Sequence, residues 1–483
     1  MNNPEKSIVI QAMMDASGVR FGTSGARGLV ADMIDEVCYA YTAAFLKAIS
    51  ATGGRLALAT DLRPSSPAIA AACAAAVEDG GLGVDYCGAI PTPALAFYAQ
   101  ERGLPGVMVT GSHIPFDRNG IKFYSATGEI TKADEASISN ARVTVPGDAL
   151  AIELPAVNRA ASQLYIERYL QFFPARCLAG MRLGFYEHSS VARDLLRELL
   201  ELLGAEVVSL GRTDQFVPID TEAVAEADIA QARRWAVDVG FDAIISTDGD
   251  ADRPLLGDER GDWLRGDIVG VLCAQYLGAQ AVVTTVSCNT AVELCASFGT
   301  VRRTRIGSPY VIEGIEQLIV AGAGQVVGFE PNGGFLVGSE IVRDGRRLAP
   351  LMTRDAVLPI LCLLSMARES GRLVSALAQS LPARFTASDR LQSFPTETSR
   401  RILAELAASP GAVATLLRGL AGKPLSQDQT DGLRLFLEND DIIHFRPSGN
   451  APELRCYAES ADQARAAFLV QAGLERMRAK AGS

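Results

Sequence analysis

Short apolar runs rich in β-branched residues alternate with longer Ala- and Leu-rich stretches along the whole chain, and this alternation limits the possible folds. It favours layered α/β architecture, because strands of period two and helices of period 3.6 recur in turn. The clearest predicted strands cover 56–60, 107–110, 207–210, 243–247 and 326–329. The clearest predicted helices cover 37–50, 67–79, 190–203, 223–239 and 350–369.

The pattern breaks at three places that predict domain boundaries. A mixed loop lies at 141–157, a polar segment at 257–266, and Pro382 precedes a new segment. These breaks divide the 483 residues into four predicted units, 1–150, 151–262, 263–380 and 381–483. At roughly 150 residues per domain, this length predicts about three domains and allows two to four.

Composition narrows the class of partner. With 45 Lys and Arg against 56 Asp and Glu, the net charge is −11, which disfavours a basic nucleic-acid-binding surface. The nine cysteines are scattered without a C-x-x-C pair, as is typical of a reduced cytoplasmic protein without structural zinc. We expect no signal peptide. The uncharged stretch 268–292 is interpreted as a helix, a turn at Gly278 and a strand, not as a membrane span.

Three alternating carboxylates, Asp248, Asp250 and Asp252, directly follow the apolar run 243–246. Carboxylates this close repel one another unless a cation lies between them. An oxygen-only ligand set suits a hard ion, Mg²⁺ before Ca²⁺. The alternatives are an acidic surface turn and an EF-hand loop, and the latter is disfavoured by Arg253 where such a loop has glycine.

A second pattern places Ser112 and His113 in a turn after a predicted strand, with Lys122 ten residues beyond the serine. A serine at such a turn can serve as nucleophile or phosphate carrier. No G-x-S-x-G motif surrounds it, so acyl transfer is not favoured. Taken alone, an ordinary serine-containing turn at a strand end explains the pattern equally well.

Three further turns carry polar groups. Arg446, Ser448, Gly449 and Asn450 offer the guanidinium, hydroxyl, amide and backbone N–H groups of a phosphate site, or form a plain Pro/Gly turn. Glu330 and Asn332 flank a turn between two predicted strands, where a carboxylate can accept hydrogen bonds from vicinal sugar hydroxyls. The glycine-rich segment 21–28 contains Arg27 but is not a dinucleotide-binding motif.

Together and in this order, these motifs resemble the α-D-phosphohexomutase family, the phosphomannomutases and phosphoglucomutases. The resemblance spans residues 21 to about 459 and includes the segments 61–66 and 91–93. It implies an α/β fold of four domains around a central cleft. Three would be mixed-sheet α/β domains of similar topology and the fourth a smaller C-terminal α+β domain.

The resemblance also implies roles for the residues. Ser112 would be the phosphoserine, and Asp248, Asp250 and Asp252 would hold Mg²⁺ together with an oxygen on Ser112. Arg27 and Arg253 would steady the transferring group, and His113 would orient the nucleophile. Lys122 would act as proton shuttle, with its pKa lowered by neighbouring arginine and Mg²⁺. Arg446, Ser448, Gly449 and Asn450 would hold the distal phosphate, and Glu330, Asn332 and Gly333 would hold the sugar.

The implied activity is a phosphomutase of the isomerase class. It would interconvert hexose 6-phosphate and hexose 1-phosphate through a hexose 1,6-bisphosphate, which also serves as activator. Mannose phosphates are the first expectation, with a role in nucleotide-sugar synthesis; glucose or glucosamine phosphates, or sugar-phosphate binding without turnover, are the alternatives. The expected protein is a cytoplasmic monomer or homodimer that binds small hexose phosphates, with no nucleic-acid or membrane partner.

Four positions depart from the family pattern. Gly334 and Ser308 stand where many relatives have histidine, Ile114 replaces an asparagine, and Asn450 replaces a threonine. These departures leave the nucleophile, the metal ligands and the key arginines in place. They affect the expected substrate preference and the identity of the general base.

Overall fold

The computed structural model describes residues 5–22, 25–148, 150–420, 422–448 and 452–481. We use the four predicted units as the first to fourth domains; their boundaries stay a prediction. Each of the first three contains a mixed sheet flanked by helices, and the fourth contains an antiparallel sheet with helices. In the described ranges, no helix is both long and apolar enough to span a membrane.

The first domain is built on a sheet in the order β2-β3-β7-β6-β4-β5, in which β4 is parallel to β5 and β6. Strand β7 returns antiparallel to β6, and β8 pairs with β7. The strands are β1 (Lys6–Val9), β2 (Arg20–Phe21), β3 (Ala26–Leu29), β4 (Arg55–Thr60), β5 (Gly83–Ala89), β6 (Gly106–Val109), β7 (Arg118–Ser125), β8 (Gly128–Glu129) and β9 (Arg142–Val145). The helices are α1 (Ile10–Ser17), α2 (Asp35–Ala48), α3 (Ser66–Asp79), α4 (Thr92–Arg102) and α5 (Lys132–Asn140).

The second domain repeats this plan with a sheet ordered β11-β10-β12-β13. Strand β10 is parallel to both of its neighbours, and β13 returns antiparallel to β12. Its elements are α6 (Ala160–Phe172), β10 (Arg182–Tyr186), α7 (Arg193–Leu202), β11 (Glu206–Leu210), α8 (Glu226–Asp238), β12 (Ala243–Thr247) and β13 (Pro254–Gly257).

The third domain repeats it again with the order β15-β14-β16-β17-β20, where β17 returns antiparallel to β16. The strands are β14 (Ala281–Thr285), β15 (Thr300–Thr304), β16 (Val326–Phe329), β17 (Phe335–Val337), β18 (Ile341–Arg343), β19 (Arg346–Leu348) and β20 (Leu351–Asp355). The helices are α9 (Gly266–Tyr276), α10 (Ala291–Leu294), α11 (Ser308–Val320), α12 (Val357–Ser370) and α13 (Val374–Ala378).

The fourth domain has the antiparallel sheet β21-β25-β24-β23-β22 and its own hydrophobic core. By contrast, one continuous apolar cluster runs through parts of the first three domains and includes Leu381 at the start of the fourth unit. The elements are β21 (Phe385–Leu391), α14 (Thr396–Ala408), α15 (Pro410–Leu417), β22 (Pro424–Asp428), β23 (Leu433–Leu437), β24 (Ile442–Pro447), β25 (Leu454–Ser460) and α16 (Gln463–Ala481).

Most predicted elements are confirmed to within a few residues, including the helix, turn and strand between 268 and 292. One prediction is wrong: the helix expected over 350–369 begins only at Val357. The preceding residues form β20, because they pair with β17 through Phe335 and Asp355 and through Val337 and Leu351. Secondary-structure propensity alone does not predict this strand, because the strand forms through pairing with β17 and not through the preferences of its own residues.

A buried tyrosine pair ties α6 to the end of β20. Tyr165 donates a hydrogen bond of 2.7 Å to Asp355 Oδ1, and Tyr169 donates to Oδ2 of the same carboxylate. All three residues are buried. The contact therefore links the second domain to the third without leaving the Asp355 oxygens unsatisfied.

We predict that Tyr165→Phe lowers the free energy of unfolding by about 1–3 kcal/mol, because it removes a hydrogen bond from a buried carboxylate. The measurement is the urea midpoint followed by intrinsic fluorescence. Tyr86→Phe is the control, since Tyr86 is only half-buried. Equal midpoints for wild type and Tyr165→Phe would contradict the prediction.

Candidate active site

The loops that join the third parallel strand to its antiparallel return strand meet at one place in the molecule. They carry Ser112 after β6, the three aspartates after β12 and Glu330 after β16. Ligand sites in α/β sheets lie at the carboxyl ends of parallel strands, where loops and backbone dipoles converge. The repeated topology thus brings the predicted residues of three domains together.

Ser112 contacts the aspartate cluster directly. Its Oγ donates a hydrogen bond of 2.6 Å to Asp248 Oδ2, and both residues are fully buried. The serine backbone has φ +51°, and its N–H donates to Thr110 Oγ1 over 2.8 Å. A tight turn in the left-handed region therefore aims the hydroxyl at the second domain.

The three aspartates form a compact oxygen cluster. One oxygen from each of Asp248, Asp250 and Asp252 lies within 4.8 Å of the others. Asp248 Oδ1 accepts the backbone N–H groups of Asp252 and Arg253, both over 3.2 Å, which closes the loop around the cluster. Burial, together with Asp250 and Asp252, raises the pKa of Asp248 well above its ordinary value.

The cluster fits a divalent metal ion. Asp250 Oδ1 and Asp252 Oδ1 are buried and accept no hydrogen bond from the described residues. Buried carboxylate oxygens without partners are costly unless a cation occupies the position. Three carboxylates and a serine oxygen form the donor set that hard cations such as Mg²⁺ prefer.

Lys122 lies against the same cluster. Its Nζ donates to Asp250 Oδ2 over 2.6 Å and to Asp252 Oδ2 over 2.8 Å. Burial alone would lower the pKa of Lys122, but the two carboxylates outweigh it and raise the pKa above its ordinary value. Lys122 therefore keeps its proton while it holds both aspartates. The lowered pKa expected beside arginine and Mg²⁺ stays a prediction.

His113, Arg253 and Arg27 surround the serine and the cluster. His113 Nδ1 lies 3.2 Å from Ser112 Oγ, and burial followed by the charge of Arg253 lowers the pKa of His113 to about 3. Arg253 Nε is 3.6 Å from Asp252 Oδ1. Burial, Arg253 and Arg354 lower the pKa of Arg27 to about 10. The imidazole is thus neutral and Arg27 is charged near pH 7.

Arg63, for which the sequence predicts no role, holds the serine loop in shape. Its guanidinium donates to the carbonyls of Ser112, Ile114, Pro115 and Arg118 over 2.6–3.0 Å. Phe216 of the second domain stacks on it, with the ring centre 3.9 Å from Cζ. A Cβ at Gly111 would lie 2.5 Å from the same Cζ, so only glycine leaves room for this contact.

The loop that carries Glu330 and Asn332 is a tight hairpin. Gly333 has φ +85° and donates its N–H to Glu330 O over 2.9 Å, and Asn332 Oδ1 accepts the Gly334 N–H over 2.9 Å. Thr221 of the second domain donates to Asn332 O over 2.8 Å. Both predicted sugar-binding side chains line the cleft, and this loop rests on the second domain.

The fourth domain contributes Arg446 and Ser448 to the same cleft. Arg446 Nε lies 2.9 Å from Asp431 Oδ2, which also accepts the Ile306 N–H of the third domain over 3.0 Å. The other two predicted phosphate-site residues, Gly449 and Asn450, lie outside the described residues.

The cleft among the four domains has a volume of about 740 Å³ and is lined by many arginine and lysine side chains. Its lining carries eight arginine and lysine side chains against five carboxylates, although the whole chain has a net charge of −11. An anion would therefore be attracted to this cleft and not to the surface of the chain as a whole. The cationic residues of the lining are Arg27, Lys132, Arg253, Arg305, Arg354, Arg390, Arg446 and Arg455.

Comparison with known proteins agrees with this arrangement. Residues 18–143, 163–261 and 265–385 match domains I, II and III of the phosphoglucomutase/phosphomannomutase family, each described as an alpha/beta/alpha domain. The fold is similar to that of a phosphoglucomutase/phosphomannomutase family protein from Burkholderia thailandensis, with a TM-score of 0.72 and 19% identity over 95% of this chain and 97% of that one.

Two curated relatives match over nearly their whole length. A phosphomannomutase of Salmonella muenchen is 47% identical over 97% of this chain and 98% of the relative. A phosphomannomutase of Sinorhizobium fredii is 43% identical over 95% of this chain and 98% of the relative. With the fold, the three matched domains and these relatives in agreement, the chain belongs to the phosphoglucomutase/phosphomannomutase family, whose members are phosphomutases of the isomerase class.

Proposed function

We propose that this chain interconverts mannose 6-phosphate and mannose 1-phosphate through a phosphorylated Ser112 and a mannose 1,6-bisphosphate. The observation that carries the proposal is the buried 2.6 Å contact between Ser112 Oγ and Asp248, next to His113 and Arg253, which line a cleft rich in arginine and lysine side chains. The two phosphomannomutase relatives support mannose as the sugar.

We assign Asp248, Asp250, Asp252 and an oxygen on Ser112 as ligands of Mg²⁺. A phosphoserine adds close to two negative charges at pH 7 and would stand beside three carboxylates. A bound divalent ion supplies the charge neutralisation that phosphoryl transfer needs at this point. Arg27 and Arg253 face the same region and add fixed positive charge.

In the first half of the reaction, a hexose hydroxyl oxygen forms a bond to phosphorus while the bond from phosphorus to Ser112 Oγ breaks. The hydroxyl proton leaves to a base, and the departing Ser112 oxygen takes up a proton and ends as the hydroxyl that donates to Asp248. Neutral His113 is positioned to orient the serine oxygen. Lys122 can accept a proton only in a state in which Asp250 and Asp252 have other partners, because these carboxylates now hold its pKa high.

The second half requires the bisphosphate to turn around and return its other phosphate to Ser112. We propose that Arg446 and Ser448, with Gly449 and Asn450, hold the phosphate that is not reacting. Glu330 and Asn332, with Gly333, would bind the 3- and 4-hydroxyls in either orientation. Glucose and glucosamine phosphates share these hydroxyls, so they are the alternative substrates, and hexose 1,6-bisphosphate is the expected activator.

We further propose that the enzyme works in the cytoplasm as a monomer or homodimer on small hexose phosphates, without a nucleic-acid or membrane partner. The negative net charge supports the absence of a nucleic-acid partner. All nine cysteines are free thiols and seven are buried, which suits a reducing compartment.

We predict that Ser112→Ala abolishes turnover, because it removes the oxygen that carries phosphorus. The measurement is a coupled assay with mannose, glucose and glucosamine 1-phosphates side by side, each with its 1,6-bisphosphate. Mannose 1-phosphate should give the highest kcat/KM for the wild type. The absence of turnover with all three substrates would overturn the proposed function.

We predict that Asp252→Asn weakens Mg²⁺ binding more than about tenfold, because it removes a charged ligand from the cluster. Titration calorimetry on the metal-free protein measures this directly. Asp262→Asn is the matched control, since Asp262 pairs with Arg233 at the surface. Equal Mg²⁺ affinities for the two variants would contradict the ligand assignment.

We predict that Arg63→Lys lowers kcat about 100-fold while the protein still folds, since a lysine cannot bind four carbonyls and the Ser112 turn is displaced. Steady-state kinetics and intact mass after incubation with bisphosphate report turnover and phosphorylation. The control is Arg55→Lys, because Arg55 is largely exposed in the same domain. An unchanged kcat would show that the serine turn holds its shape without Arg63.

A further inference from the structure

Arg354 is a buried arginine that lies outside every predicted motif, between the aspartate cluster and the loop of Glu330 and Asn332. Its Nε and Nη2 donate to Asp252 Oδ2 over 3.1 and 2.7 Å, and its Nη1 donates to Glu330 Oε2 over 3.2 Å. The side chain is 3% exposed. One guanidinium is therefore shared by a predicted metal ligand and the predicted sugar ligand.

The surroundings fix this arginine in place. Thr353 donates to Glu129 of the first domain over 2.6 Å, and Asp355 accepts the hydrogen bonds of Tyr165 and Tyr169. The residues on both sides of Arg354 are thus anchored to other domains. Its guanidinium occupies a defined position and does not move with a free loop.

Gly334 gives Arg354 the space that it needs. A Cβ at Gly334 would lie 2.5 Å from Arg354 Cδ and 2.8 Å from Cγ. Any side chain at position 334 would therefore displace the arginine. The glycine and the arginine belong together as one structural unit.

The charge of Arg354 has different effects at its two carboxylate partners, Asp252 and Glu330. Arg354 and Lys122 both bind Asp252. Their positive charges therefore repel any divalent cation that binds the same carboxylate. Like charges at close range in a buried site repel one another strongly. At Glu330, in contrast, the guanidinium fixes the orientation of a carboxylate and leaves its other oxygen to accept a hydroxyl.

We propose that Arg354 is a positioning residue that orients Glu330 for the sugar hydroxyls at the expense of metal affinity at Asp252. The inference rests on the proposed function, since it takes Glu330 as the sugar ligand and Asp252 as the metal ligand. It assigns to one side chain two effects of opposite sign. An arginine that served stability alone would produce neither of them.

The test uses binding and does not depend on turnover. Titration calorimetry gives the affinity of the full-length, metal-free protein for Mg²⁺, and then, with Mg²⁺ present, its affinities for mannose 1-phosphate and for inorganic phosphate. Arg354→Gln should bind Mg²⁺ about three- to tenfold more tightly, because a positive charge beside the ligands is gone. The same variant should bind mannose 1-phosphate about tenfold more weakly, and its affinity for inorganic phosphate should be unchanged.

Arg354→Lys separates charge from geometry. It keeps the positive charge but not the forked donors, so its Mg²⁺ affinity should stay within about twofold of wild type while mannose 1-phosphate binding weakens as in the glutamine variant. Arg347→Gln is the matched control, because Arg347 is exposed on the same domain and pairs with Glu340. It should change none of the three affinities.

Weaker Mg²⁺ binding by Arg354→Gln, unchanged binding of mannose 1-phosphate, or a loss of inorganic phosphate binding would each overturn the proposal. If Arg354→Gln shows no cooperative thermal transition and is therefore not folded, Arg354→Lys provides the test. Wild-type Mg²⁺ affinity with weakened mannose 1-phosphate binding would support the proposal, and any other combination would overturn it. Absence of mutase turnover in the wild type would overturn the proposed function instead, and the binding measurements keep the two failures apart.

Discussion

The contact between Ser112 and the buried aspartates is the interaction on which the site depends. Three carboxylates and a serine oxygen are gathered in an interior where an uncompensated negative charge is costly. Lys122 and Arg354 reduce that cost from one side. Two aspartate oxygens still have no hydrogen-bond donor among the described residues, so the geometry suits a divalent cation better than it suits the side chains alone.

A single topology, used three times, builds this site. In each of the first three domains, an antiparallel strand returns from the end of a parallel strand, and the intervening loop carries the chemistry. Residues outside the three loops hold them across domain boundaries: Phe216 stacks on Arg63, Thr221 donates to Asn332, and Arg354 donates to Asp252. A residue in one domain therefore sets the geometry of a loop in another.

Much of this could be predicted from the sequence because the signals are local. The strand before Asp248, the turn at Ser112 and the hairpin at Glu330 each follow from a short run of residues, and the resemblance to a family places them in one cleft. Arg354 could not be found in this way, since the segment 351–355 resembles the start of a helix and becomes a strand only through pairing with β17. The raised pKa of Lys122 likewise depends on two aspartates more than 100 residues away.

The separate core of the fourth domain has a mechanical consequence. Its apolar cluster contains residues of that domain only, within the ranges described, whereas its links to the third domain include the hydrogen bonds of Asp431 and Glu459. Water can replace such bonds when two surfaces part, but it cannot replace a shared apolar core. A rotation of this domain would thus change the width of the cleft without breaking the contacts among the serine, the aspartates and Arg354.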